Sequence, residues 1–121
     1  MKIAIMQPYF IPYAGYFRLF NQTDLFVIYD CVQFPRRGYV HRNKLTYFED
    51  NTRWLTLPLR KQEREIQIRN LEFRTQNKEI WLNSLYNFSV IKKNIFKFPN
   101  LESALINLDC DSCDYIIRSC P

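Results

Sequence analysis

A handful of side chains in the first third of the chain have the types and spacing to hold and act on a small ligand. Gln7 and Asn43 can orient one by hydrogen bonds, and Arg37 and Arg42 can meet a phosphate or carboxylate. Tyr9, Tyr16 and Gln33 complete the substrate-binding set. Asp30 closes an apolar run and has no acidic neighbour until Glu49-Asp50, so it is the candidate general base. His41 is the sole histidine and the weaker candidate for proton transfer. There is no Gly-rich phosphate loop, no G-x-S-x-G elbow and no histidine pair spaced for a metal, and the residues name no cofactor.

The elements that must position these groups follow from the apolar runs. Ile3-Ala4-Ile5-Met6 and Leu25-Phe26-Val27-Ile28-Tyr29 are continuous rather than alternating, the pattern of strands buried on both faces. Tyr13, Phe17 and Phe20 recur at helical spacing between them, which predicts a helix over residues 14–22. Strand, loop, helix, strand makes the two strands parallel neighbours. Gln7 and Asp30 then emerge at one carboxyl edge, where open α/β sheets bind ligands. Pro8 and Pro12 stiffen the intervening loop, and Gly15 permits a close approach at the helix entry.

Further along, residues 30–43 have loop chemistry, punctuated by Pro35 and Gly38. Residues 53–59 read as a strand after a turn at Asp50-Asn51, and Glu65–Arg69 alternates as a half-exposed strand with a bulge or end at Asn70. One helix is expected over 75–93. Its wide apolar face, from Ile80 to Ile91, exceeds a single stripe and predicts exposed surface and self-association. Residues 94–121 read as an irregular tail with a short helix over 100–108. Overall the expectation is an α/β domain over residues 1–93, with a mixed, mostly parallel sheet and helices packed on it.

Of the 121 residues, 47% are hydrophobic, 17% aromatic and only two are glycine, which fits a globular domain. No apolar run is long enough for a signal peptide or a membrane span, so a cytoplasmic protein is expected. Cys110-x-x-Cys113 lacks a second pair, and with Cys31 and Cys120 it reads as ordinary cysteine. Residues 36–74 carry ten Lys/Arg against five Asp/Glu, a local +5 equal to the net charge of the chain. That balance suits an anionic small molecule such as a nucleotide-sugar. The interspersed glutamates and the lack of a known module argue against nucleic acid.

Four blocks, Met6-Gln7-Pro8-Tyr9…Gly15-Tyr16-Phe17, Asp24…Tyr29-Asp30-Cys31-Val32-Gln33-Phe34, Arg42-Asn43 and Trp54-Leu55-Thr56…Pro58, resemble the WbqC-like protein family in order. The resemblance implies surface-polysaccharide (O-antigen) biosynthesis, with a group transfer onto an activated, nucleotide-linked sugar. The family pattern has a second acidic residue after Asp30, where this chain has Cys31, and family members are longer. The chain therefore also fits a non-catalytic binding or assembly module, or an inactive amino-terminal fragment truncated in its tail.

Overall fold

The computed structural model describes residues 1–74, 78–106 and 115–116. It contains β1 (Ile3–Met6), α1 (Ala14–Asn21), β2 (Leu25–Ile28), β3 (Arg42–Phe48), β4 (Asn51–Thr56), α2 (Lys78–Tyr86), α3 (Ser89–Lys97) and α4 (Pro99–Ile106). The α/β character and the opening strand–helix–strand unit agree with the sequence. A single, mostly parallel sheet does not form among the described residues: β1–β2 is a parallel pair and β3–β4 a separate antiparallel one.

In the first unit Ile3 faces Leu25 and Met6 faces Ile28, and Tyr29 N–H continues the ladder to Met6 O at 2.7 Å. The α1 helix crosses one face, where Tyr16 and Phe20 both pack on the Phe26 ring. Burial on both faces is not found. Ile3, Ile5, Leu25 and Val27 point away from α1 and are exposed, Ile5 at 60%. One crossing helix covers one face of a sheet, and no second layer lies over the other among the described residues.

The second unit is the β3–β4 hairpin with three helices behind it. The hairpin turns at Glu49-Asp50, and Glu49 carries the left-handed φ of 53°. The strand expected over 53–59 starts two residues earlier and stops at Thr56, shortly before Pro58, which has no N–H to give a ladder. Arg42 and Asn43, expected in a loop, begin β3. Glu65–Arg69 is not a strand. It keeps one bridge, Gln67 to Gln33, and then coils into a 3₁₀ turn over Ile68–Asn70. That turn drives Ile68 and Leu71 into the core, and this burial, not a sheet edge, produces the alternation.

The single helix expected over 75–93 is two helices, residues 75–77 lying outside the described residues. Phe88 is extended, with φ −94° and ψ 116°, and separates α2 from α3. The break turns each short apolar stripe inward. Trp81, Leu85, Phe88 and Ile91 are buried, α4 packs on both helices, and of the wide face only Ile80 is largely exposed. The bare helix face invoked for self-association is thus mostly covered by the chain itself. The tail expected to be irregular is helical to Ile106. Cys110, Cys113 and Cys120 lie outside the described residues. No helix among the described residues is long and apolar enough to cross a membrane.

The main core belongs to the second unit and its loops: Phe10, Phe34, Val40, Leu55, Leu57, Ile68, Trp81, Leu85 and Ile95 are among its members. No residue of β1, α1 or β2 joins it.

Candidate functional site

The expected site residues do not converge on one place. Parallel pairing does put Gln7 and Asp30 past the same edge of β1–β2. Asp30 is half-buried there, its backbone carbonyl accepting from Arg69 N–H at 3.0 Å. Tyr16 is buried, and its hydroxyl donates to Gln7 O at 2.9 Å, tying α1 to the loop. The Gln33 amide donates to Arg64 O on the surface, and Arg37 is exposed. Cys31, in place of the second acid, is an exposed free thiol.

Three of the remaining residues meet around the loop that follows β1. Tyr9, Pro12, Tyr13, Tyr39 and Asn43 line a cleft of about 450 Å³. Asn43 Nδ2 donates to the carbonyls of both Phe10 and Ile11, and its Oδ1 accepts from Lys44 N–H. Phe10 N–H is held by Tyr39 O at 3.1 Å. These bonds fix Ile11 at φ 47°, a left-handed conformation that a β-branched residue adopts only under strain. Asn43 is therefore a residue that pins the loop. Arg42, beside it, donates to Gly38 O and lies 4.1 Å over the Trp54 ring, which in turn packs against Tyr39.

Trp54 also borders a larger cavity of about 810 Å³ between the hairpin, α2 and the loops at 34–36 and 58–62. Arg36, Arg53, Arg60, Lys61 and Arg74 line it together with His41, Thr56, Gln62, Ser84 and Asn87, and no Asp or Glu among the described residues does. Arg36 is anchored without being neutralised: its Nη2 donates to the carbonyls of Gln62 and Glu63 at 3.0 and 2.7 Å. Arg53 lies 4.1 Å over the Tyr47 ring. Only Arg60 has a carboxylate partner among the described residues, an exposed pair with Glu72 at 3.5 Å that water largely screens.

His41 borders this cavity, its ring edge-on to Phe34. Burial, then the charges of Arg42 and Arg36, lower its pKa from 6.5 to about 4, so the imidazole is neutral at pH 7. Its Nδ1 is buried and has no hydrogen-bond partner among the described residues. Sequence reasoning named His41 and located the charge excess in residues 36–74, but chose Arg37 over Arg36. Two adjacent arginines look alike in sequence, and only the folded 58–63 loop reveals which one it anchors. Arg53, Arg60, Lys61 and Arg74 were legible only as a regional charge, because β4 and two loops bring them together.

A model of the WbqC-like protein family matches residues 7–109. An uncharacterized protein of Mycobacterium tuberculosis (strain ATCC 25618 / H37Rv), Rv1507c, is 38% identical over 58 residues. The matched segment is 48% of this chain and 25% of that protein, so the chain spans about a quarter of the curated relative's length. No solved structure matches.

Proposed function

We propose, from the premise that this chain belongs to the WbqC-like protein family, that its basic cavity binds the phosphates of a nucleotide-linked sugar. In this reading the site serves a group transfer in surface-polysaccharide biosynthesis. The observation that carries it is the cavity lining, which among the described residues has five cationic side chains and no carboxylate. Charges held beside protein walls, here with only Arg60 paired to a carboxylate among the described residues, focus a positive potential on the space between them. Arg36 and Arg53 are already fixed by carbonyls and by a ring, so little side-chain freedom remains to be lost when an anion arrives. Thr56, Gln62, Ser84 and Asn87 supply neutral hydrogen-bonding groups to the same ligand.

A second reading, a binding module without chemistry of its own, is favoured by the same lining. Proton abstraction wants a base titrating near the working pH, whereas the pKa of His41 is lowered to about 4 and no carboxylate among the described residues borders the cavity. Titration calorimetry with UDP-glucose and with inorganic pyrophosphate tests the shared premise. Binding of either is expected, weakening as salt rises and falling at least about tenfold in Arg53→Gln and Arg74→Gln. Absence of binding, or binding indifferent to both substitutions, would remove the cavity from consideration. Conversion of UDP-glucose to a heavier sugar that keeps its UDP, followed by mass spectrometry with a group donor such as acetyl-CoA present, separates the transferase from the module.

A further inference from the structure

The tyrosine cleft has a chemistry opposite to that of the basic cavity. Its five lining residues, Tyr9, Pro12, Tyr13, Tyr39 and Asn43, include no charged side chain. We infer that it is a binding site for a neutral, hydroxylated ring, a sugar in pyranose form.

The cleft is built at some cost, which separates it from a chance dent in the surface. The loop presenting Tyr9 and Tyr13 is held with Ile11 in the left-handed region, and Asn43 spends its amide on the carbonyls of Phe10 and Ile11 to keep it there. Tyr13 folds over Gly15, where a Cβ would come within 2.6 Å of the ring. The glycine thus leaves room for the ring, which a Cβ would push aside. Tyr13 and Tyr39 are nevertheless left 63% and 49% exposed, although burying them would be favourable.

The ligand class follows from shape and from unused bonding groups. Tyr9 and Tyr39 have ring centroids 6.5 Å apart at 54°, a splayed wedge. A flat base sandwiched between two rings needs parallel walls about 7 Å apart, twice the contact distance of aromatic carbons. The volume lies near the lower end of the about 300–1,000 Å³ of small-molecule sites, which suits one or two rings better than an extended peptide. No hydrogen bond within the described residues occupies the hydroxyls of Tyr9, Tyr13 or Tyr39. A pyranose presents C–H groups on its face and hydroxyls on its rim, matching apolar ring faces edged with phenol groups. The inference goes beyond the anion reading and does not rest on it, because the two cavities share no lining residue.

Saturation-transfer NMR on the full chain, with methyl β-D-glucopyranoside, methyl β-D-galactopyranoside and methyl N-acetyl-β-D-glucosaminide as probes, tests it. At least one glycoside should receive saturation on its C–H face. Its affinity should fall about tenfold in Tyr13→Ala and in Tyr39→Ala and stay unchanged in the cavity variant Arg53→Gln. Tyr13 is the more exposed ring, so its variant is the one least able to disturb folding, and an amide spectrum verifies that. The inference is overturned if no glycoside receives saturation from folded protein, or if transfer survives both tyrosine substitutions. It is equally overturned if adenosine or decaproline binds there in place of the glycosides. None of these outcomes bears on UDP-glucose or pyrophosphate at the basic cavity.

Discussion

The β1–α1–β2 unit and the hairpin–helix unit solve the same problem unequally. Behind β3–β4, three helices and two loops bury Leu85, Ile68 and Val40 completely. Among the described residues a single eight-residue helix covers one face of β1–β2, and four aliphatic side chains on the other are exposed. Parallel sheets ordinarily have both faces covered, so stability should be concentrated in the second unit. Both candidate sites follow that asymmetry. The basic cavity is walled by the hairpin and α2, and the cleft lies where the loop from the first unit is pinned onto the second.

The largest expected effect tests the comparison directly. Leu85→Ala should cost about 2–5 kcal/mol in chemical denaturation, as emptying a fully buried leucine site does. Ile5→Ala on the bare face should stay within about 0.5 kcal/mol, the usual range for surface positions. Similar losses at both would mean that the β1–β2 face is covered in solution.

Next in size is the seam between the units. Asn43→Ala removes the amide that donates to the Phe10 and Ile11 carbonyls and should cost about 1–3 kcal/mol. Ile11→Gly relieves the left-handed φ but also removes a side chain packed against the core, so the two substitutions should be non-additive in a double-mutant cycle read by denaturation. Additive losses would show that Asn43 acts elsewhere.

The smallest effect is protonic. His41 is neutral in the folded chain down to about pH 4 but titrates at 6.5 when unfolded. Between those values the unfolded chain binds the extra proton, so stability falls as pH drops from 6.5 towards 4, and above 6.5 the effect is absent. Because the ring is only partly buried, the full shift is discounted to about 1 kcal/mol. Melting curves from pH 7 to 4.5 should be shallower for His41→Gln than for the native chain. Pyrophosphate in the cavity should shrink the difference by offsetting the Arg36 charge.

How far the sequence could be read follows the range of the interactions involved. The parallel β1–β2 pair and α1 were legible because Ile3–Met6, the Tyr13/Phe17/Phe20 spacing and Leu25–Ile28 are local patterns. The placement of Gln7 and Asp30 at one edge followed from topology alone. Residues 42–48 were missed as a strand because Arg42-Asn43-Lys44 opens it with polar groups, and only pairing with β4 makes it one. The break at Phe88 was hidden because a buried aromatic continues a helical stripe as readily as it ends one. The basic cavity needed four segments brought together, so the sequence held its charge but not its shape.

The two tryptophans both belong to the hairpin–helix unit but differ in their access to solvent. Trp81 also borders the basic cavity but is 3% exposed, with Nε1 donating to Leu105 O at 2.8 Å. Trp54 is 40% exposed at the mouth of the basic cavity. Collisional quenchers should therefore tell them apart by charge as well as by access. Iodide, drawn in by the arginines, should extinguish Trp54 emission more efficiently than neutral acrylamide, while caesium is repelled and the buried Trp81 is quenched least by all three. The unmodified chain thus carries an internal gauge of its own local potential, readable in a cuvette without a label.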